Sequence, residues 1–210
     1  ITIKYNPQGD TLWVRHYEGS KYYSYEEATA LAVDESGNVY VTGSSRDTSN
    51  FGDYATIKYS YNGGTLWVRR YNGEANARDE PRSINFSSQC LAVDGSGNIY
   101  VTGRSSKNIY YPWNYDYATI KYSPNGDSLW VKRYNGPADS NDFANAIGVD
   151  DSGNVYVTGV SRNIGLASDD IATIKYSPNG DELWVRRYDG PNGWDGGNAL
   201  AVDSAGNIYV

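Results

Sequence analysis

The side chains in this sequence that could do chemistry are one histidine, one cysteine and many carboxylates. His16 is the single histidine, so one chain cannot assemble a histidine metal cluster, and a Ser-His-Asp arrangement would have to use this residue. It stands where two related segments have Arg70 and Arg187, which is typical of sequence drift. Cys90 is the single cysteine and cannot form an internal disulfide, so we expect a buried, inert thiol.

The carboxylates that recur in a fixed context precede turns of the type Asp-x-Ser-Gly-Asn. Oxygen atoms at alternate positions suit a hard cation, so a structural Ca²⁺ ion is one interpretation of these turns. The run is short and no Glu follows at a repeating offset, which favours a second interpretation. In that interpretation the carboxylates accept turn amides, as in Asx-turns, and no cofactor is required. The residues concerned are Asp34, Asp94, Asp150 and Asp203.

No other pattern in the sequence indicates catalysis. Phosphate-binding Gly-x-Gly-x-x-Gly and Walker patterns are absent. The number of carboxylates leaves a glycosidase-type pair open, but no pair stands out from the recurring background. We therefore expect that the chain is not an enzyme.

The charge pattern argues against two classes of partner. With a net charge of −7 the chain lacks the clustered basic residues that displace counterions from nucleic-acid phosphates. No run of about 18–20 apolar residues is present, so we expect no membrane span. The cations recur at fixed positions in predicted strands, where we expect them to pair with acids across strands or between repeats. They are Lys4, Lys58, Lys121, Lys175, Arg15, Arg69 and Arg186.

A tandem repeat must position all of these residues. The sequence Leu-Trp-Val-Arg, with Lys in one copy, begins at Leu12, Leu66, Leu129 and Leu183, and Thr-Ile-Lys-Tyr recurs upstream with the same spacings. A third block, Ala-Val-Asp-x-Ser-Gly-Asn-x-Tyr-Val-Thr-Gly, occupies residues 32–43 and 92–103, recurs with one substitution at 148–159, and begins again at 201. Self-similarity of this kind is the signature of a repeat architecture.

Each copy divides into four short strands. With 21 Tyr, 6 Trp, 23 Gly and no Met, the composition favours an all-β protein. In one copy the predicted strands cover 146–149, 155–158, 171–176 and 182–188, and four antiparallel strands per about 50–60 residues is typical of a propeller blade. Strand 39–42 carries bulky apolar groups on both faces, which favours blades packed on both sides over a two-layer sandwich, an alternative that strand number leaves open.

One tryptophan recurs at the same position of every copy. A ladder of rings that stacks on a ligand is one interpretation, but a fixed tryptophan in each blade is what packing between blades requires, and we expect the second role. These residues are Trp13, Trp67, Trp130 and Trp184.

The repeat resembles the SBBP β-propeller repeat family, whose copies carry Asp-x-x-Gly-Asn-x-Tyr-Val-x-Gly followed by Lys-x-x-x-x-Gly-x-x-x-Trp. Here these motifs occupy residues 94–103 and 121–130, and the resemblance covers essentially the whole chain. It implies a propeller, commonly in exported or surface proteins of bacteria and archaea, with no catalytic residues to carry over. We therefore expect an extracellular or cell-surface location. The family name implies seven blades, whereas this chain supplies four repeats.

Strand counting predicts a single propeller domain over 1–210. Three full blades cover about 28–71, 90–134 and 144–188, and a fourth blade-equivalent combines the outer strands of 1–17 with the inner strands of 199–210. Pairing of these two halves would close a four-bladed ring and remove the open edges, which otherwise invite aggregation. A fragment of a larger ring, completed by further chain or by a neighbouring molecule, is the competing interpretation.

All variable connections are expected at one face of the ring, and that face is where recognition is predicted. Loops on a rigid scaffold commonly carry function, and Tyr and Trp dominate interface hot spots. We therefore expect a non-catalytic structural or adhesive module that binds proteins or its own copies, with a carbohydrate-binding propeller as the alternative. The candidate recognition residues are Tyr22, Tyr23, Tyr25, Tyr110, Tyr111, Trp113, Tyr115 and Trp194.

Overall fold

The protein is described by a computed structural model that covers residues 1–19, 25–46, 51–81, 89–110, 112–164, 168–191 and 193–210. Every regular element in these residues is a β-strand, and all pairings between the strands are antiparallel. The prediction of an all-β chain with four-stranded antiparallel sheets is confirmed. No helix in these residues is long and apolar enough to cross a membrane.

The strands form five sheets in chain order. The first sheet contains β1 (Thr2–Tyr5) and β2 (Thr11–Arg15). The second contains β3 (Glu26–Val33), β4 (Val39–Arg46), β5 (Gly52–Tyr59) and β6 (Thr65–Tyr71). The third contains β7 (Asp79–Glu80), β8 (Leu91–Val93), β9 (Ile99–Ser106), β10 (Tyr115–Tyr122) and β11 (Ser128–Tyr134). The fourth contains β12 (Asp142–Val149), β13 (Val155–Arg162), β14 (Asp169–Tyr176) and β15 (Glu182–Tyr188), and the fifth β16 (Ala201–Val202) and β17 (Ile208–Tyr209).

We call the second, third and fourth sheets blades 2, 3 and 4, and the first and fifth sheets the two half-blades. In blade 3 both β7 and β8 pair with β9, so these two short strands share the innermost position. The observed blades begin slightly earlier than the sequence predicted: β3 starts at Glu26 and β12 at Asp142, and β7 precedes the predicted start of blade 3.

The inner hairpins are shaped by the turn that follows each recurring aspartate. In blade 3, Asp94 Oδ1 accepts the N–H groups of Ser96 and Asn98 at 2.9 and 2.8 Å, and Asp94 Oδ2 accepts Asn98 Nδ2 and the Tyr100 hydroxyl, each at 2.8 Å. Gly97 adopts a φ of 78°, which a side chain would oppose. In the other three turns, Asp34, Asp150 and Asp203 accept the same hydrogen bonds from the asparagine and the tyrosine.

Successive blades pack face to face. Tyr40 and Trp67 of blade 2 share one buried cluster with Leu91 and Ile99 of blade 3, and the corresponding cluster joins blade 3 to blade 4. Burial on both sides explains why β5 and β10 are buried along their whole length. This arrangement favours the blade interpretation over the two-layer sandwich.

The same polar contact joins each of the first three sheets to the sheet that follows it. Trp67 Nε1 and Lys58 Nζ both donate to the backbone carbonyl of Pro124, each at 3.1 Å. Arg69 Nε donates to the carbonyl of Gly126 at 2.6 Å. The cations therefore act between blades, as predicted, but the prediction that their partners are acids is wrong for Lys58 and Arg69, because the acceptors are turn carbonyls.

This contact recurs at the neighbouring interfaces. The Trp13 indole and Lys4 donate to the carbonyl of Tyr61, and the Trp130 indole and Lys121 donate to that of Pro178. Gly126 illustrates how close the approach is, because a Cβ added there would lie 2.9 Å from the Trp67 ring. Trp13, Trp67 and Trp130 thus each donate a hydrogen bond to the following sheet.

The two half-blades lie at opposite ends of the chain order and form separate two-stranded sheets. β1 pairs with β2, and β16 pairs with β17, but within the described residues no pairing joins β1 to β17. The predicted closure of the ring by these halves is therefore not confirmed.

Candidate functional site

The connections β4–β5, β6–β7, β9–β10, β11–β12, β13–β14 and β15–β16 all lie at one end of the strands. Each is separated from the next by two antiparallel strand positions, since β7 and β8 run in the same direction along β9 and share one position. We call this end the loop face. The opposite end holds the short turns of near-identical sequence described above. Among the residues predicted for recognition, those that the structure describes lie at the loop face: Tyr25, Tyr110, Trp113, Tyr115 and Trp194.

A repeated ionic cluster supports the loop face from below. In blade 3, the Arg133 guanidinium contacts the Asp116 carboxylate at 3.1 Å and donates to the side chain and the carbonyl of Ser105. Arg133 also donates to the Tyr71 hydroxyl of blade 2 at 3.4 Å. One guanidinium therefore connects three strands of its own blade and one strand of the preceding blade.

The same cluster occurs in the neighbouring blades. Arg70 contacts Asp53 at 2.8 Å in blade 2, and Arg187 contacts Asp170 at 2.9 Å in blade 4. This cluster was not predicted from the sequence. A signal was present, because the three arginines and the three aspartates recur with the same spacings as the tryptophans. His16, directly after β2, occupies the repeat position of these arginines.

A second set of buried carboxylates fixes the connections between blades. Asp79 and Asp142 each accept the N–H group of a glycine at the end of the preceding blade, Gly73 and Gly136, at 2.6 Å. Burial raises the pKa of Asp79 and of Asp142 to about 6, although hydrogen bonds from Ser105 or Ser161 and from the glycine amide oppose this shift. Both side chains lie beneath the surface, at 0% and 1% exposure, and hold the loops in place.

Above these supports, the connection between β9 and β10 is braced at both ends. Lys107 N–H donates to the carbonyl of Asn114 at 2.8 Å, and Asn108 Nδ2 donates to the carbonyl of Pro112 at 2.9 Å. Lys107 Nζ lies 2.7 Å from Asp139 Oδ1 and 3.3 Å from Asp116 Oδ1, so the loop is also tied to the connection that enters blade 4. The loop therefore presents its tip from a fixed base.

The aromatic residues of the loop face fall into two groups. Tyr115 is only 4% exposed, and its ring packs against Phe143 and beneath Arg104, so it lies under the surface and supports it. The Trp113 ring packs against the Tyr115 ring, with ring centroids 6.4 Å apart, and Trp113 is 39% exposed. Tyr110, at the loop tip, is 81% exposed.

Two further exposed aromatics occur on other connections. Trp194 is 68% exposed and carries the Arg162 guanidinium 5.5 Å from its ring, and Tyr25 is 52% exposed with Arg46 at 4.9 Å. These two rings and Tyr110 belong to different blades, so the structure does not gather them into one pocket. Three predicted recognition residues, Tyr22, Tyr23 and Tyr111, lie outside the described residues.

Asp94 was a candidate metal ligand and Cys90 is the single thiol, and each has a defined environment in the structure. Both oxygens of Asp94 are engaged in the turn; burial alone would raise its pKa, but the hydrogen bonds from Asn98 and Tyr100 outweigh burial and lower it. Cys90 is fully buried, and burial raises the pKa of its thiol to about 11. Within the described ranges, no group of three His, Cys, Asp or Glu side chains could hold a metal ion.

Comparisons with known proteins agree with this architecture. The sequence pattern of the SBBP family, described as a beta-propeller repeat, matches residues 18–52, 66–111 and 129–164. The chain is also similar, at 22% identity over its whole length, to an uncharacterized WD repeat-containing protein of Acanthamoeba polyphaga mimivirus. The chain spans only 18% of that relative's length. Because the three matched regions together cover more than half of the chain, it belongs to the SBBP beta-propeller repeat family.

Proposed function

We propose that this chain is a non-catalytic protein-interaction module of an exported or cell-surface protein. It binds protein partners through the loop face and binds copies of itself through its open blade edges. Its membership of the beta-propeller repeat family and its similarity to a WD repeat-containing protein support the interaction role.

The observation that carries the proposal is the contrast between the two ends of the strands. The turn end repeats nearly the same sequence and hydrogen bonds in every copy, whereas the loop face differs from blade to blade and exposes Tyr110 and Trp194. Tyr110 projects from a braced loop, so little conformational entropy is lost when a partner covers it. Aromatic anchors on a rigid base are typical of protein interfaces.

A site-specific photocrosslinker tests the loop face. We expect a crosslinker in place of Tyr110 to yield discrete adducts with surface proteins of the source cells. The same crosslinker in place of Tyr61, which is 57% exposed on the turn end, is the matched control and should yield none. Equal labelling from both positions would contradict a specific surface on the loop face.

A glycan array separates the carbohydrate-binding alternative. The proposal expects no glycan signal from the wild-type chain or from Trp113→Ala. A wild-type signal that the Trp113→Ala substitution removes would instead assign the aromatic residues to sugar stacking. Cell fractionation of the source organism tests the location, and a purely cytosolic chain would contradict it.

A further inference from the structure

Two connections of the loop face carry the same chemically labile dipeptide at the same repeat position. Asn72–Gly73 follows β6, and Asn135–Gly136 follows β11. Asparagine is a labile residue, most of all before glycine, which has no side chain to shield its backbone nitrogen. Both asparagines are exposed, whereas both glycines are buried. Water therefore reaches the two carboxamides in the folded chain.

A buried carboxylate holds each of these glycine amides. Gly73 N–H donates to Asp79 Oδ2, and Gly136 N–H donates to Asp142 Oδ2, each at 2.6 Å. A hydrogen bond to an ionised acceptor is about twice as strong as a neutral one. The glycine nitrogen must lose its proton before it attacks the asparagine, and an adjacent carboxylate opposes the negative charge that would develop there. The carboxylate therefore slows the attack.

The asparagine carboxamides are engaged along the loop as well. Asn72 Nδ2 donates to Asn76 Oδ1, and Asn135 Nδ2 donates to Asp139 Oδ1, the latter at 2.9 Å. The acceptor residue has a positive φ in both loops, 49° for Asn76 and 45° for Asp139. The two loops therefore share one conformation, in which both groups that would react have other partners.

The glycine of this dipeptide cannot be replaced by a residue that would make the step less labile. A Cβ added to Gly136 would clash with Ser161 Oγ and Asp142 Oδ1, and Gly73 is enclosed in the same way. At these two places only the asparagine can change without disturbing the contact with the carboxylate.

The other two copies of the repeat show this change. Gly190 N–H donates to Asp195 at 2.6 Å, and Gly19 N–H donates to Glu26 at 3.1 Å, so the contact between glycine and carboxylate is kept. The residue before the glycine is an acid in both copies: Asp189 and Glu18. The contact is therefore a constant part of the repeat, and in two copies it also encloses a reactive step.

We propose that Asn72 and Asn135 are modification sites of this chain, which Asp79 and Asp142 keep unreactive while the loops are closed. When a loop opens, the glycine nitrogen bonds to the asparagine Cγ, the Cγ–Nδ2 bond breaks, and ammonia leaves with the amide proton. Water then opens the cyclic imide to aspartate or isoaspartate. An aspartate fits the loop, as Asp189 does in blade 4, whereas isoaspartate adds a backbone carbon and moves the glycine amide away from its carboxylate.

Peptide mass mapping after incubation at neutral pH tests the role of the carboxylates. We expect Asp142→Ala to raise the deamidation rate at Asn135 at least about tenfold, because the glycine amide loses a charge-assisted hydrogen bond. Asn72 in the same chain keeps Asp79 and should react at the wild-type rate. Asp79→Ala should give the reverse pattern, with the increase at Asn72 alone.

A third dipeptide separates this effect from unfolding. Asn125–Gly126 lies between β10 and β11, where Gly126 N–H donates to the carbonyl of Ser123 instead of a carboxylate. If Asp142→Ala unfolds the chain, all three dipeptides react faster together, and Asp142→Asn becomes the test. It keeps a neutral acceptor, so Asn135 should react at least about threefold faster than in the wild type, relative to Asn125. An unchanged rate at Asn135, or equal acceleration of all three dipeptides in both variants, would overturn the proposal.

Discussion

At the scale of single residues, the recurring acids serve three different structural purposes. Asp94 and its counterparts shape the inner turns, Asp116 and its counterparts pair with arginines, and Asp142 holds a glycine amide between blades. Their surroundings move their pKa values in opposite directions, since hydrogen bonds lower that of Asp94 whereas burial raises that of Asp142. The free energy of unfolding should therefore depend on pH through Asp94 in one pH range and through Asp142 in another.

The raised pKa of Asp142 predicts a pH dependence with a definite sign. The folded-state pKa is about 6 and the unfolded value is near 3.9, so the folded state binds more protons between these values. The contribution of this group to stability is fully present below the unfolded value and is lost as the pH rises through about 6. Urea unfolding at pH 4.5 and 7.5 should show that Asp142→Asn reduces this loss by on the order of 2 kcal/mol.

Asp139→Asn is the matched control for this measurement. It removes the same formal charge, but the Asp139 side chain is 73% exposed, and hydrogen bonding to Lys107 lowers its pKa. Asp139 is therefore ionised in both the folded and the unfolded chain above pH 4.5, and its substitution should leave the pH dependence unchanged. A wild-type slope retained in Asp142→Asn would contradict the assignment.

At the scale of elements, the fourth strand of each blade shows how one strand serves two environments. On β6, Trp67 is 8% exposed and packs against Tyr122 of blade 3, with ring centroids 6.2 Å apart. Its neighbour Leu66 points to the other side and is 54% exposed. Alternation along the strand therefore separates the residue that joins blades from the residue that faces outward.

Trp67→Ala should lower the free energy of unfolding by about 3–5 kcal/mol, because it leaves a cavity between blades and removes a donor from the Pro124 carbonyl. Leu66→Ala on the same strand should change stability by no more than about 0.5 kcal/mol. Chemical denaturation of both variants measures the difference. Similar losses in the two variants would show that the tryptophan is not an interface residue.

How far the sequence predicted the architecture depended on the range of each contact. The Asp34 turn and the Trp67 interface were predictable, because a turn is local and a tryptophan at every repeat has one economical explanation. The partner of Lys58 was predicted wrongly, because any residue can provide a backbone carbonyl and so none marks it in the sequence. The cluster around Arg133 was missed because its partners come from three other strands. The burial of Tyr115 beneath Arg104 was equally invisible, since loop composition does not reveal which rings point inward.

At the scale of the whole molecule, the large apolar interfaces join successive sheets, and Gln89, just before β8, also exchanges hydrogen bonds with the backbone of Leu200, just before β16. Blade 3 is covered on both sides, whereas each half-blade has one neighbour. Stability in such proteins is close to a sum of repeat and interface contributions. Protection of backbone amides from hydrogen exchange should therefore decrease from blade 3 toward the two half-blades.

Amide hydrogen exchange should display this gradient. We expect the slowest exchange in β9 and β10 and the fastest strand exchange in β17, because fewer interfaces must open to expose the terminal hairpin. Uniform protection of all strands at low concentration would contradict the stacked arrangement.

The carbonyl of Pro124 accepts hydrogen bonds from two side chains of the preceding repeat, and Tyr61 and Pro178 do the same at their interfaces. Donor and acceptor thus occupy constant places in the repeating unit. A gene that gained or lost one whole unit would bring together surfaces that already fit, without compensating substitutions. Lengthening by duplication is therefore open to this protein, whereas an insertion within a strand of one unit would disturb two neighbours at once.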